Sequence, residues 1–374
     1  MASTSPDSIT IRRPDDWHVH FRDGARLASV VAATAAQFGR AIVMPNLKPP
    51  VTTTAAAVAY KQRIVSALAT AGGRTAFDPL MTLYLTDETH PDEIDRALDS
   101  GVVFGAKLYP AGATTNSAAG VTDVRRVDAV VARMAELGLP LLVHGEVTNP
   151  RIDVFDREAR FLEDVFAPLL ERHPTLKAIL EHVTTAAGVD FVRDHGPRVA
   201  ATITAHHLIA TRNDMLVGGI KPHYYCLPIL KRFEDREALV AAATSDDPSF
   251  FLGTDSAPHT IDDKESACGC AGCYTAHAAM EFYTEVFEEA DALDKLEAFA
   301  SLRGPAFYGL PVHNDTITLL HSLGGSVTQA DNNGMTPAQV AASNGHDSAV
   351  KVLESLGADM AGVNESTLIA AAGA

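Results

Sequence analysis

The chain has one tryptophan and only four cysteines in 374 residues. Four thiols are too few for a disulfide scaffold, which is usually short and cysteine-rich, and they fit a reducing compartment. Positive charge is also scarce, with 30 Lys and Arg against 47 Asp and Glu for a formal net charge of −17. That balance argues against nucleic acid and anionic membrane surfaces as partners. An anionic small molecule would have to be held by a local cation or metal cluster, against the field of the whole protein. Long apolar runs are missing too: no stretch approaches the roughly 20 residues needed to span a bilayer. The opening Met1-Ala-Ser-Thr-Ser-Pro-Asp7 carries neither a basic-plus-apolar signal nor an Arg-rich presequence. The expected location is the cytoplasm.

What is present is a long alternation of apolar and amphipathic segments. Strands are expected at Trp17–Phe21, Arg40–Met44, Pro79–Leu85, Phe104–Leu108, Pro140–His144, Leu176–His182, Val199–Thr204 and Ser249–Gly253. Alanine- and charge-rich stretches between them, such as Ala25–Phe38, Thr54–Ala71, Val124–Leu137 and Asp156–Arg172, read as helices. Eight strands separated by helices predict an α/β fold, a (β/α)8 TIM barrel. Polar groups sit at or just past the C-terminal ends of these strands, where a parallel barrel places its active site: His18, His20, Asn46, Lys107, His144, His182 and Asp255.

Six of these form a set of ligand candidates: His18, His20, Lys107, His144, His182 and Asp255. Histidines two apart on a strand share a face, and four imidazoles with a carboxylate suit zinc. Lys107 is the odd member, in the apolar strand Phe104-Gly-Ala-Lys-Leu-Tyr-Pro110. Burial lowers an amine's pKa, and a neutral amine can take up carbon dioxide to become a carbamate whose two oxygens bridge two metals. The plain alternative is a buried lysine paired with an acid.

The last stretch, 314–374, has a different character. It holds no aromatic residue, and six acids against one lysine give it −5 of the total charge. The string beginning Ile317-Thr-Leu-Leu reappears at Val350-Lys-Val-Leu, 33 residues on, and Asp331-Asn-Asn-Gly-Met-Thr-Pro-Ala opens the unit between them. Period and pattern resemble an ankyrin repeat, so the expected layout is a barrel over 1–313 and a short all-α, ankyrin-like appendage over 314–374. About three such units are normally needed to bury a shared core. The segment must therefore dock on the barrel, dock on a protein partner, or stay loosely ordered.

Longer strings identify a resemblance. Ile11-Arg-Arg-Pro-Asp-Asp-Trp-His18, Ala41-Ile-Val-Met-Pro-Asn46, Ala106-Lys-Leu-Tyr-Pro110, Leu141-Leu-Val-His-Gly-Glu-Val-Thr148, Glu181-His-Val-Thr-Thr185, Leu252-Gly-Thr-Asp-Ser-Ala-Pro-His259 and Cys268-Gly-Cys-Ala-Gly-Cys273 follow in order. Residues 8–313 closely resemble the bacterial-type, homodimeric dihydroorotases of the amidohydrolase superfamily. The resemblance implies reversible hydrolysis of L-dihydroorotate to N-carbamoyl-L-aspartate, the third step of pyrimidine synthesis. It also implies two zinc ions per chain, one on His18, His20 and Asp255, the other on His144 and His182. Carboxylated Lys107 and a hydroxide would bridge them, with Asp255 as proton shuttle. Arg22, Asn46 and His259 would hold the substrate carboxylate, and backbone near Leu227 and Ala271 would read the ring amides. Thr114 and Thr115 would lie at the tip of a loop closing over the substrate.

Three departures from that pattern stand out. Ala205-His206 replaces a proline and a glutamine at the exit of the seventh strand. Gly112 lies in the lid loop where asparagine is expected, and the repeat-like tail replaces the usual terminal segment. Cys226 with Cys268, Cys270 and Cys273 superficially spells a four-thiolate zinc site, although in the family this string is a substrate-side loop. His206, His207, His223 and His277 read as packing or loop residues, with His206 and His207 close to the barrel mouth. Two rival functions remain: a hydantoinase- or dihydropyrimidinase-type hydrolase, and a barrel kept as scaffold for a binding tail. The first has no need of Arg22, Asn46 and His259 together on a carboxylate; the second has no need of six ligand side chains at strand ends.

Overall fold

The computed structural model describes residues 8–71 and 76–320. Ten strands occur among them: β1 (Ser8–Arg12), β2 (Asp16–Val19), β3 (Arg40–Val43), β4 (Asp78–Tyr84), β5 (Val103–Leu108), β6 (Leu141–His144), β7 (Ala178–Glu181), β8 (Val199–Ile203), β9 (Phe250–Leu252) and β10 (Thr316–Leu320). Strands β2 to β9 are the eight expected ones, with ends moved by one or two residues. They lie side by side in chain order, and every ladder between them is parallel.

Closure is made just beyond β9. Ser256 bridges Val19 in parallel, Asp255 N donates to His18 O at 2.8 Å, and His20 N donates to Ser256 O at 3.1 Å. The sheet is therefore a barrel. The strand sequences explain its two cores, because alternate residues face opposite sides. Ile42, Leu142, Ile179, Ala200 and Phe251 form an inner cluster with Trp17 and Leu80. Their neighbours Val43, Val143, Leu180, Ala201 and Leu252 join the larger cluster packed with the helices. Trp17 stacks on Tyr308 with centroids 4.5 Å apart, and Gly304 packs so close that a Cβ there would collide with the indole nitrogen.

Helices fill the connections as expected, at Ala25–Gln37 and Thr54–Thr70 for example. The segment 157–172 contains a π-helical turn at Leu162–Phe166. No helix among the described residues is long and apolar enough to cross a membrane.

Strands β1 and β10 pair in a separate two-stranded sheet. Thr10 Oγ1 meets Thr318 Oγ1 at 3.0 Å, and Arg13 binds Asp315 through Nε at 2.6 Å and through its backbone N–H. Residues 317–320, expected as the start of a repeat helix, are thus strand, because an N-terminal edge was available to pair with them. The remainder of the ankyrin-like segment, 321–374, lies outside the described residues.

Candidate active site

Every ligand candidate sits on or just past the C-terminal end of a barrel strand. Asp255 Oδ1 lies 3.2 Å from His18 Nε2 and 3.1 Å from His20 Nε2, and these two nitrogens are 3.3 Å apart. The three side chains thus aim one ligand atom each at a common point. His182 joins from β7, its ring centroid 5.1 Å from His18 and 4.9 Å from His144. His144 is the least converged, since its Nε2 bonds Glu146 Oε2 at 2.8 Å. His182 and Asp255 both hold left-handed backbone, each with φ 44°, as does Arg22 with φ 60°. Non-glycine residues seldom adopt that region, and such strain gathers at functional sites.

Lys107 is fully buried in β5, and its amine abuts Glu181. Glu181 Oε2 also lies 3.2 Å from His18 Nδ1. The acid partner of the plain reading therefore exists, at the residue just before His182. Burial lowers the Lys107 pKa well below the usual amine value. It likewise holds the imidazoles of His18, His144 and His182 neutral and takes His20 down to about 3. Burial alone would raise Asp255, but His18, His20 and His182 outweigh it and keep the carboxyl well below its ordinary range. Neutral imidazoles beside an ionised carboxylate are the state in which metal ligands bind.

A cavity of about 320 Å³ opens over this cluster. It is lined by His18, His20, His144, His182 and Asp255 together with Arg22, Asn46, Thr114, Thr115, Leu227 and Ala271. His259 stands at its edge, 3.1 Å from Arg22 Nη2 and donating to Ala271 O at 3.0 Å. The loop after β5 is folded over the opening. Asn46 Nδ2 donates to Thr115 O at 3.0 Å, Asn116 Nδ2 to Asn46 O at 2.9 Å, and the Thr115 hydroxyl to Ala271 O at 3.4 Å.

Sequence reasoning overlooked several members. Tyr109 lines the cavity with a buried hydroxyl that makes no hydrogen bond; its spacing of two from Lys107 on β5 was the available signal. Asp16 accepts from His18 N at 3.1 Å, Thr254 N at 2.9 Å and Thr254 Oγ1 at 2.6 Å. It thereby ties the two ligand-bearing segments together. Gly253 admits no side chain: a Cβ there would lie 2.6 Å from Thr202 Cβ and 3.2 Å from His18 Cβ. The four cysteines do not converge. Cys268 and Cys270 pair at 3.2 Å near the surface, while Cys226 and Cys273 are buried together.

Barrel and strand-end site define a hydrolase of the amidohydrolase class, and the chain matches the Amidohydrolase family across residues 14–318. It is 64% identical over 316 residues to a dihydroorotase of Ralstonia nicotianae, covering 84% of this chain and 91% of that protein. A Campylobacter jejuni dihydroorotase structure superposes with TM-score 0.76 at 35% identity, over 85% of this chain and 89% of that one. A Saccharomyces cerevisiae dihydroorotase in complex with 5-fluoroorotic acid gives TM-score 0.76 at 35% identity, over 82% and 86%. The chain belongs to the dihydroorotases of the amidohydrolase family.

Proposed function

We propose that the cavity catalyses the reversible hydrolysis of L-dihydroorotate to N-carbamoyl-L-aspartate, with two zinc ions held by the strand-end ligands. The observation that carries this reading is the meeting of a metal-type cluster and a buried arginine in one small cavity. The donor set fits the metals. His18, His20 and Asp255 already converge, and His182 Nδ1 is a buried nitrogen without a hydrogen-bond partner. One ion would rest on His18, His20 and Asp255, the other on His182 and on His144 once it exchanges Glu146 for metal. Lys107, as its carbamate, would serve both. A carbamate beside Glu181 sets two anions against each other, which only nearby cations can offset, so carbamylation and metal loading are coupled.

When bound, the metal pair lowers the pKa of water and polarises the amide carbonyl. The protein's own groups do the rest. Arg22 presents its guanidinium, steadied by Pro258 O at 3.2 Å and by His259, to the substrate carboxylate. Asn46 completes that grip, with its Oδ1 buried and unpaired. Backbone groups at Leu227 and Ala271 meet the ring amides. Asp255 takes a proton from the attacking water and returns it to the leaving ring nitrogen, a base turned acid within reach of both. The lid at Thr114 and Thr115 excludes bulk solvent. This reading carries with it the cytoplasmic, homodimeric enzyme that the resemblance implies, and leaves the repeat-like segment 314–374 available to a protein partner.

The test is ring opening of L-dihydroorotate by the full-length chain supplied with zinc and bicarbonate. Turnover that a chelator abolishes and zinc restores is expected. Absence of turnover with metal bound would overturn the substrate assignment, and absence of both would favour a scaffold.

A further inference from the structure

A second group of metal-type ligands lies outside the active site, behind the loops that wall it. Just past β8, His206 is only 6% exposed, yet neither of its ring nitrogens has a hydrogen-bond partner. A buried imidazole with both nitrogens idle is costly unless something occupies the space they face. Its ring centroid is 4.5 Å from that of His207. Cys226 Sγ lies 3.8 Å from His207 Nε2, and His206, His207 and Cys226 each bring a ligand atom within 4.8 Å of the other two. Cys273 supplies a fourth donor: its buried thiol shares a hydrogen bond with Cys226. His206 and Cys273 also line a separate pocket of about 1060 Å³, which gives an ion a way in. On the other side the thiols pack against Ala210, Met215, Ile229 and Leu230, an apolar wall.

We propose that His206, His207, Cys226 and Cys273 form a second metal site, an N2S2 set for zinc or another thiophilic divalent ion. Two imidazoles and two thiolates make a closed tetrahedral shell of the structural kind. The catalytic centre contains no sulfur, so the two sites differ in the metals they prefer. Occupancy asks two local changes: both thiols release their protons to solvent, and His207 Nε2 gives up its 3.0 Å bond to Pro228 O. The ligands come from three separate stretches. Cys226 directly precedes Leu227, and Cys273 follows Ala271 by two residues, so a bound ion fixes both backbone stretches that face the substrate. His206 stands where the resembling family carries glutamine, which makes the complete set a property of this chain. The exposed pair Cys268 and Cys270 takes no part.

The experiment is cobalt titration of the metal-stripped full-length chain, followed by near-ultraviolet absorption, where only a thiolate-bound cobalt gives strong sulfur-to-metal charge transfer. The band is expected in the wild type and in a Cys268→Ser, Cys270→Ser double variant. It should vanish in Cys226→Ser, and His206→Gln should bind about one equivalent less metal. Saturation without the band, or a band that survives Cys226→Ser, overturns the proposal. Should Cys226→Ser fail to fold, thiol titration of the wild type decides. Zinc, and not magnesium, must protect the two buried thiols from a disulfide reagent, and absence of that protection overturns the site.

Discussion

Lys264 offers the sharpest test of how the substrate wall is held. Its ammonium is buried and donates to three carbonyls, Tyr225 O at 2.8 Å, Cys270 O at 2.9 Å and Gly272 O at 2.9 Å. Three donors on one nitrogen meet three acceptors, which is the full capacity of a lysine head group. The acceptors belong to the two stretches that present Leu227 and Ala271 to the cavity. Lys264→Met keeps the apolar stem and removes all three bonds. Hydrogen bonds to a charged group contribute roughly 1.5–3 kcal/mol each, but the three share one donor, and carbonyls at a pocket edge regain some water. The expected loss is therefore about 3–4 kcal/mol in urea unfolding. The wall should loosen with it, lowering kcat/KM for dihydroorotate by about 10–100-fold, the range for groups that position site residues. Lys264→Arg should rescue little, because a planar fork cannot point three donors around one centre. Unfolding within about 0.5 kcal/mol of wild type, together with unchanged kcat/KM, would refute the staple.

Lys107→Ala should lose metal and activity together, with partial recovery on adding a small carboxylate; full metal occupancy in that variant, measured by elemental analysis, would rule out a bridging role. Arg22→Ala should weaken substrate binding by about 2–4 kcal/mol, seen mainly in KM, and unchanged kinetics would place the carboxylate elsewhere. Glu93 tests the pH dependence of the scaffold. Burial pushes its carboxyl up, but Thr54, through its hydroxyl and amide, and Arg96 outweigh it and hold the pKa below the usual value. Stability from this group is therefore full above the unfolded carboxylate pKa and is lost as pH falls through the folded one. Glu93→Gln should cost about 1–2 kcal/mol near neutrality, with the two thermal melts converging below about pH 4. A gap that stays constant down to pH 3 would contradict this.

The barrel was legible because its strands are short apolar runs, each ending in a polar group that an apolar core would not tolerate. Lys107 in an apolar strand and His144 at the end of Leu141-Leu-Val are conspicuous for that reason. The same contrast revealed His18, His20, His182 and Asp255. Lys264 gave no such signal. It sits in Ile261-Asp-Asp-Lys-Glu265, a stretch that looks like solvated surface, and its burial depends on carbonyls from residue 225 and from 270–272. Glu181 was hidden for a similar reason: the sequence places it beside His182, but only β5 brings Lys107 against it.

Order along the chain determined which residues could reach the barrel mouth, since period-two strands in a parallel sheet fix which ends carry chemistry. Tertiary structure decided which of those groups touch. Asp255 meets His18 and His20 from the opposite end of the chain because Ser256 closes the barrel on Val19. The cysteines divide into two pairs rather than one cluster because different loops carry them. Residues 316–320 are strand because β1 offers them an edge. Local propensity and spacing are written in the sequence, whereas pairing across hundreds of residues exists only once the chain has closed on itself.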